Sequence, residues 1–345
     1  MKKEHLLIIR FSALGDVAMT VPVVYSLAMQ YPGLRITVLS RPMARPLFSG
    51  LAPNVSFMQA DLGKEYHGVK GLNKLYRRLT AKQFTHIADF HNVLRSEYLR
   101  FRFNIGRYRV EHVDKHRAER RALTSFNNKV RTTLPSTFQN YADVLARLGF
   151  PVTLQFHSIF QSPPPLPASL QTSLSAPLIG VAPTAAHQGK IYPFQLMRQA
   201  VGLIMKRHPE ATICLFGRGE QEERLFSQWC KELPQCVHVS QHTSDLSQEL
   251  ALMSHLSVMV SMDSANLHLA SLTATPVVTV WGATSPEGGF TGWNQPQENS
   301  VQTALDCRPC SIYGNRPCRR GDYACLNLIA PQRIADRVEE ILAQS

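Results

Sequence analysis

The segment from Val258 to Pro286 constrains the fold more than any other part of the chain. An apolar run ends at Asp263, small residues follow from Ser264, and a helix-like pattern leads into a second apolar run that ends at Gly282–Thr284. This order predicts a strand, helix, strand unit with polar and small residues at both strand exits, where open α/β sheets bind ligands. A helix that begins at Ser264 offers unpaired N–H groups and a partial positive charge. The segment therefore predicts binding of a phosphorylated small molecule.

Strand-like and helix-like segments alternate along most of the chain, which is typical of parallel βαβ units. The predicted strands are Leu6–Phe11, Arg35–Ser40, Thr85–Phe90, Leu178–Ala182, Thr212–Phe216, Val237–Ser240 and Val258–Ser261. The predicted helices are Ala18–Gln30, Phe194–His208, Glu220–Leu233 and Gln332–Ala343. Ser162–Ala168 is rich in proline and reads as a stiff linker. With 345 residues, the chain suits two α/β domains.

Targeting signals are weak in this sequence. No run of eighteen apolar residues occurs, and Arg10 and Asp16 interrupt the first apolar patch too early for the core of a signal peptide. We therefore expect a cytoplasmic protein.

Basic residues are concentrated in the first half of the chain. Residues 1–150 contain 24 Lys and Arg against 10 Asp and Glu, whereas the remainder contains 13 against 15. Arg95–Arg131 alone contains eleven basic and four acidic residues. Such a region attracts a polyanion: nucleic acid, an anionic membrane surface or a phosphorylated acceptor. A solvated face kept soluble by its charge would show the same composition.

Four of the seven cysteines lie within nineteen residues: Cys307, Cys310, Cys318 and Cys325. Reduced thiols are expected in a long chain without a secretion signal. The C-x2-C-x7-C-x6-C spacing would suit a structural zinc ion, and it would equally suit a compact loop whose thiols only pack. The sequence leaves zinc binding, disulfides and simple packing open.

Asp16 is a candidate general base. Ile8–Pro22 reads as a strand, a turn that contains Ser12 and Gly15, and then Asp16 where a helix begins. Glycine in this turn would let the backbone approach a ligand. Asp16 either caps the helix or takes a proton from an attacking hydroxyl, and the pattern alone leaves both roles open.

Candidate ligand-binding residues also follow the predicted strands of the second half. Thr184 lies at the exit of the strand Leu178–Ala182, and Lys190 follows in the loop. The lysine suits a diphosphate, although exposed loops also carry lysine. Gly217 belongs to a glycine turn before Glu220, which would accept ribose hydroxyls, yet a single G-x-G is weak evidence. His268 lies one turn into the helix that follows Asp263, either as a core residue or near a bound phosphate.

Together these elements resemble glycosyltransferase family 9, the lipopolysaccharide heptosyltransferases, over nearly the whole chain. The residues that carry the family's two main marks are Leu14–Asp16 and Pro22, then Asp263–Ser264, His268–Ala270, Pro276 and Gly282–Thr284. Asp89, Arg95 and Ser96 resemble the family's acidic strand end and the basic-Ser pair that faces the acceptor. The cysteine region resembles the family's Pro-Cys-x-x-Cys tail.

The resemblance implies an α/β GT-B fold, in which two Rossmann-like, doubly wound domains face each other across a cleft. An acceptor-binding domain would span residues 1–161, a Pro-rich linker residues 162–177 and a nucleotide-sugar-binding domain residues 178–330. The C-terminal helix, residues 331–345, would cross back to the first domain.

The activity implied is an inverting, metal-independent transfer of heptose from ADP-heptose to a lipopolysaccharide core or lipid A acceptor, with no cofactor. Asp16 would be the catalytic base. The implied donor-binding residues are Thr184, Lys190, Gly217, Glu220, Asp263, Ser264, Ala265 and His268. The implied acceptor-binding residues are Ser12, Gly15, Arg95 and Ser96. The partner would be an anionic glycolipid at the inner membrane face, reached by peripheral association through the basic N-terminal half, and no nucleic acid is expected.

Two departures from the family pattern bear on donor identity. Ala265 stands where the family usually has glycine, and Ile191–Pro193 stands where a Trp-Pro pair is usual. A nucleotide-sugar epimerase of the same architecture is one alternative. Nucleic-acid binding is another, because aromatic residues alternate with arginines in Phe101–Arg109. A nicotinamide oxidoreductase is disfavoured because the first strand lacks a G-x-G-x-x-G turn.

Overall fold

The computed structural model describes residues 4–171 and 174–344, and these form two compact α/β units. The first unit contains residues 4–115 and 135–159, and the second contains residues 116–134 and 160–344. The predicted class, α/β with two Rossmann-like parallel-sheet domains, is confirmed.

The first unit has a five-stranded parallel sheet in the order β3-β2-β1-β4-β5. Its strands are β1 (His5–Ile9), β2 (Arg35–Ser40), β3 (Val55–Gln59), β4 (His86–Asp89) and β5 (Arg109–His112). The helices in this stretch of chain are α1 (Leu14–Ala18), α2 (Val21–Gln30), α3 (Gly68–Thr80), α4 (Leu94–Ile105), α5 (Arg117–Leu123) and α6 (Thr137–Arg147), with a 3₁₀ helix at Pro42–Leu47.

Helices cover the sheet of the first unit, so β1 and β4 are buried along their whole length. Leu72, Leu75 and Leu79 of α3 share one core cluster with Leu99 and Phe103 of α4 and with residues of β1. Because Ile9 of β1 lies beside Asp89 of β4 in parallel register, the loops that follow these strands meet at one edge of the sheet.

The second unit has a six-stranded parallel sheet in the order β11-β10-β9-β6-β7-β8. Its strands are β6 (Leu178–Ala182), β7 (Thr212–Leu215), β8 (Cys236–His238), β9 (Val258–Met262), β10 (Val277–Trp281) and β11 (Ser300–Gln302). Its helices are α7 (Phe194–Arg207), α8 (Glu220–Glu232), α9 (Leu246–Met253), α10 (Ala265–Leu272), α11 (Ala324–Asn327) and α12 (Pro331–Leu342). Short 3₁₀ turns lie at Gln188–Lys190, Val239–Gln241, Pro286–Gly288 and Gln297–Asn299.

The structure divides the chain differently from the predicted first domain of residues 1–161. Residues 116–134 leave that domain and belong to the second unit. Lys129 donates hydrogen bonds to the carbonyl oxygens of Cys307 and Pro309, at 2.8 and 2.9 Å. The backbone N–H of Leu134 donates to Glu287 O at 2.9 Å. The expectation of one uninterrupted N-terminal domain is therefore wrong.

The predicted linker and the C-terminal helix also lie in the second unit. Residues 162–171 and 174–177 form neither helix nor strand, but they pack on this unit: Ser169 donates to His242 O at 3.0 Å, and Leu170 is buried. Thr172 and Ser173 of the predicted linker, and Ser345, lie outside the described residues. In α12, Ile334, Ala335, Val338 and Ile341 belong to the core of the second unit. The apolar face of this helix is therefore buried in the second unit. The expected crossing of the helix to the first domain stays a prediction.

Candidate active site

Asp16 lies at the carboxyl edge of the first sheet, in the third position of α1. Its Oδ2 accepts a hydrogen bond from the backbone N–H of Ala13 at 3.1 Å, so Asp16 caps its own helix. The same oxygen forms an ion pair with Arg10 Nη2 at 2.6 Å. Its side chain is 25% exposed, so a ligand can reach the carboxylate. Asp16 therefore has a capping role, and its partly exposed carboxylate is also compatible with a catalytic role.

Arg10 fixes the Asp16 carboxylate and was not among the predicted site residues. Its guanidinium also donates to Phe90 O at 2.8 Å, which ties the exit of β1 to the exit of β4. A charged residue directly after the apolar run Leu6–Ile9 was the signal in the sequence. Such a residue is rarely buried without a partner.

His91 is a second neighbour that sequence reasoning missed. Its Nε2 lies 3.5 Å from the Ser12 hydroxyl. Burial, and next the positive charge of Arg10, lower the pKa of His91 to about 3. The ring is therefore neutral near pH 7 and contributes hydrogen-bonding capacity rather than charge to the surroundings of Ser12.

Three residues predicted at the acceptor side have local structural roles. Gly15 lies inside α1, which begins at Leu14, so its predicted place in a turn before the helix is wrong. Ser96 is fully buried, where its hydroxyl accepts from Val93 N and donates to Val93 O, both at 3.1 Å. Asp89 accepts from His91 N at 2.9 Å and forms a 3.3 Å ion pair with Arg100. Arg95, by contrast, is exposed at the start of α4.

In the second unit, Lys190 and Asp263 form a buried ion pair at the carboxyl edge of the sheet. Lys190 Nζ lies 2.8 Å from Asp263 Oδ2, and the two side chains are 15% and 6% exposed. Asp263 directly follows β9, and Lys190 ends the 3₁₀ turn after β6, the neighbouring strand. Two residues that are 73 positions apart in the sequence are thus brought together.

Glycines hold the Lys190 turn against its neighbours. The backbone N–H of Ala283 donates to Gly189 O at 2.7 Å. Gly314 has a φ of +73°, and a Cβ atom there would lie 2.6 Å from Lys190 Cγ. The loop that contains Gly314 therefore packs against the lysine stem and limits where its ammonium group can go.

Helix α10 begins beside this ion pair. Its N-cap residue, Ser264, makes no side-chain capping hydrogen bond. The N-cap side chain therefore does not satisfy the first N–H groups of the helix, and N–H groups at a helix start bind anions. Ser264 and Ala265 are half-buried, and His268 is buried one turn further on.

Gly217 in the turn after β7 has a packing role, and Glu220 beyond it is exposed. A Cβ atom on Gly217 would lie 2.8 Å from Glu222 Cγ and 3.2 Å from the Phe226 ring, so this glycine is required for packing against α8. Glu220 is 92% exposed at the start of α8, with Arg224 at 3.3 Å. Thr184 is half-buried just after β6.

Arg308 supports the loops around Gly282 and was not predicted. It is buried and donates to the carbonyl oxygens of Gly282, Thr303 and Thr284 at 2.6, 2.6 and 2.8 Å. One arginine thus satisfies carbonyl groups at the exits of β10 and β11. Its place within the cysteine-rich segment was the available signal.

All seven cysteines are free thiols. Burial, and next the neighbouring Cys307, raise the pKa of Cys310, and burial raises the pKa of Cys325 to about 11. Within residues 4–171 and 174–344, no group of three or more His, Cys, Asp or Glu side chains is arranged to hold a metal ion. In this structure the thiols pack.

A family profile matches most of the chain. Residues 72–320 match the profile described as glycosyltransferase family 9 (heptosyltransferase). The chain is 24% identical over 364 residues to lipooligosaccharide heptosyltransferase 2 of Haemophilus influenzae, with 99% of this chain and 100% of that protein covered.

Solved structures share the fold. The glycosyl transferase family 9 structure from Veillonella parvula DSM 2008 has a TM-score of 0.73 and 17% identity, covering 100% of this chain and 99% of that one. The E. coli ADP-heptose lps heptosyltransferase II has a TM-score of 0.71 and 19% identity, covering 99% of both chains. E. coli heptosyltransferase WaaC with ADP has a TM-score of 0.66 and 15% identity, covering 98% of this chain and 99% of that one.

Fold and matches together define a glycosyltransferase of the GT-B class, as expected from the sequence. The chain belongs to glycosyltransferase family 9 (heptosyltransferase). No helix in the described part of the chain is both long enough and apolar enough to cross a bilayer.

Proposed function

We propose that this protein transfers heptose from ADP-heptose to a lipopolysaccharide core or lipid A acceptor, with inversion at the anomeric carbon. The observation that carries the donor half of the proposal is the Lys190–Asp263 pair beside the uncapped start of α10. Donor identity is supported by the E. coli structures named with ADP and with ADP-2-deoxy-2-fluoro heptose, and acceptor class by the name of the Haemophilus relative.

In the donor site, Lys190 and the N–H groups of α10 bind the diphosphate. The incoming phosphate oxygens share the lysine with Asp263, so the ammonium stays paired throughout. As the bond between the anomeric carbon and the diphosphate oxygen breaks, negative charge grows on the leaving ADP. Lys190 and the helix N-terminus stabilise that charge, which lowers the barrier. The reaction therefore proceeds without a metal ion.

Asp263 faces the sugar, and exposed Glu220 accepts the ribose hydroxyls of the nucleotide. Thr184, Ser264, Ala265 and His268 complete the donor site around the phosphates and the sugar. Gly217 acts indirectly, because its absent side chain lets α8 pack closely enough to bring Glu220 to the ribose.

In the first unit, Asp16 removes the proton of the acceptor hydroxyl while that oxygen attacks the anomeric carbon. Arg10 and the Ala13 N–H hold the carboxylate in one orientation, so less ordering remains for the transition state. Among the predicted acceptor residues, exposed Arg95 and the Ser12 hydroxyl bind the anionic glycolipid. Gly15 and buried Ser96 shape the backbone beneath them.

The proposed setting is the cytoplasmic face of the inner membrane, with peripheral association through the basic first unit. A nucleotide-sugar epimerase would share the donor site, and it would interconvert the donor without an acceptor. Nucleic-acid binding is less supported, because Phe103 of the aromatic-arginine stretch is buried in the core.

The proposal is tested by thermal stabilisation with ADP, GDP and UDP, and then with the corresponding nucleotide sugars. ADP and ADP-heptose should raise the melting temperature most. The best ligand is then incubated with the protein with and without heptose-deficient lipopolysaccharide. Acceptor-dependent release of ADP supports the transferase. Conversion of the donor without acceptor supports the epimerase, and preferential stabilisation by UDP or GDP refutes the ADP assignment.

A further inference from the structure

Helix α4 has two apolar faces, and only one of them is buried. Leu99 and Phe103 pack in the core of the first unit. Leu94, Phe101 and Ile105 are 85%, 61% and 65% exposed. Their spacing of i, i+7 and i+11 places them in one row along the outer side of the helix, about 17 Å long. Single exposed apolar side chains are ordinary, but three aligned on one helix mark an interaction surface.

Helix α3 places a basic row beside this apolar row. Lys70, Lys74 and Arg77 are exposed at i, i+4 and i+7. The buried residues of α3 and α4 belong to the same core cluster, so both rows point away from that core.

Side-chain contacts hold the two helices together. The Tyr98 hydroxyl donates to Asn73 Oδ1 at 2.9 Å, and the Tyr76 hydroxyl donates to Arg102 O at 3.2 Å. The guanidinium of Arg102 lies 4.5 Å from the centre of the Tyr76 ring. The apolar and basic rows therefore form one fixed surface.

The charge of this surface selects its occupant. The two helices contain seven basic residues and one acidic residue, Glu97. Glu65, just before α3, pairs with Lys74 at 3.1 Å, and both of these side chains are well exposed. A second copy of the chain, paired through the same face, would bring like charges together. An apolar row flanked by cations instead suits an anionic bilayer surface.

We propose that α3 and α4 form a bilayer-docking surface. Leu94, Phe101 and Ile105 enter the headgroup region of an anionic membrane, and Lys70, Lys74 and Arg77 lie against its phosphates. This inference rests on the membrane association in the proposed function and gives it a location. It requires neither the donor site nor the base Asp16.

The test uses full-length protein and vesicles of phosphatidylglycerol and phosphatidylethanolamine, without nucleotide or lipopolysaccharide. Phe101→Ser should weaken vesicle binding at least about tenfold, because the apolar row loses one large side chain that would be buried in the headgroup region. Met29→Ser is the matched control: Met29 is 57% exposed on α2, which packs on α6 in another layer. Replacing Lys70, Lys74 and Arg77 with glutamine should weaken binding and remove most of its salt dependence.

A second readout does not depend on affinity. Tryptophan introduced by Phe101→Trp should be quenched by brominated lipid, and tryptophan introduced by Met29→Trp should not. Equal binding by wild type and Phe101→Ser, or no quenching at position 101, would overturn the proposal. So would a loss of self-association in Phe101→Ser with unchanged vesicle binding, because the surface would then join copies of the chain. Heptose transfer without vesicle binding would refute only the docking surface. Vesicle binding without heptose transfer would refute only the proposed function.

Discussion

Removing the charge of Lys190 should have two effects that can be separated. Lys190→Met keeps most of the stem that packs against Gly314 and deletes the ammonium. Asp263 is then left as a buried, unpaired carboxylate. Both side chains are at least 85% buried and their charged atoms are 2.8 Å apart, so this is a buried pair rather than a surface pair. Breaking such a pair costs about 3 kcal/mol of unfolding free energy, against less than about 1 kcal/mol at the surface.

Urea unfolding followed by tryptophan fluorescence is the assay for stability. The three tryptophans, Trp229, Trp281 and Trp293, all lie in the second unit, so their emission reports on the unit that contains the pair. Lys206→Met, at an exposed position on α7, is the control and should be neutral.

The double variant Lys190→Met with Asp263→Asn separates stability from binding. Removing both charges leaves no unpaired buried ion, so most of the lost stability should return. ADP affinity should not return: loss of a charge-assisted contact worth about 2 kcal/mol weakens binding roughly thirtyfold. Asp263→Asn alone should bind ADP at least as tightly as wild type, because Lys190 no longer has a competing partner. Recovery of ADP affinity in the double variant would refute the assignment of Lys190 to the diphosphate.

Three further outcomes are expected. Asp16→Asn should lower kcat about a thousandfold in an ADP-release assay and leave ADP affinity nearly unchanged in calorimetry, because only the proton acceptor is removed. Gly314→Ala should weaken ADP binding, because the added methyl group would displace the Lys190 stem. Gly321 has a similar φ of +77° and open space around it, so Gly321→Ala should cost only backbone strain and should bind ADP normally. The folded-state pKa of His91, about 3, lies below the ordinary 6.5, so its contribution to stability is present above pH 6.5 and is lost as pH falls toward 3. Between pH 7 and pH 5, wild type should lose about 2 kcal/mol more than His91→Phe in urea unfolding followed by circular dichroism.

Each of these expectations has a contradicting result. Normal turnover of the Asp16→Asn enzyme would show that Asp16 only caps its helix. Equal ADP affinity in the two glycine variants would show that Gly314 does not position the lysine. Parallel pH profiles for wild type and His91→Phe would show that the histidine is not buried in its neutral form.

Strands in the middle of each sheet were predictable because burial on both faces requires a continuous apolar run. The bounds of Leu178–Ala182 match the prediction, and all five residues are buried. The edge strands Val55–Gln59 and Arg109–His112 were not predicted, because their exposed positions admit polar and charged residues. An apolar run in the sequence reports burial, and edge strands are only partly buried.

Local sequence patterns could not predict which unit each connecting segment joins. Residues 116–134 follow the first sheet in sequence, and nothing in their composition tells which core receives them. Their place depends on contacts such as Lys129 with Cys307 O, between residues 178 positions apart. The same holds for α12, whose amphipathic pattern predicts a helix and a buried face but not the unit that buries it.

Candidate site residues were predictable where motif and chemistry coincide, as at Asp16, Lys190 and Asp263. The geometry was not, because Ser96 looks the same in sequence whether it caps a helix or meets a ligand. Arg10 and Gly314 position Asp16 and Lys190 because they lie close to them and fit against them. Those properties exist only in the folded chain.

The most direct test of the central claim is a transfer assay with purified protein, ADP-heptose and heptose-deficient lipopolysaccharide, read by mass spectrometry of the acceptor and by release of ADP. We predict that the wild-type protein adds one heptosyl unit per ADP released, and that Asp16→Asn adds almost none while still binding ADP. An acceptor of unchanged mass, with the donor released unaltered or converted to its epimer, would contradict the account.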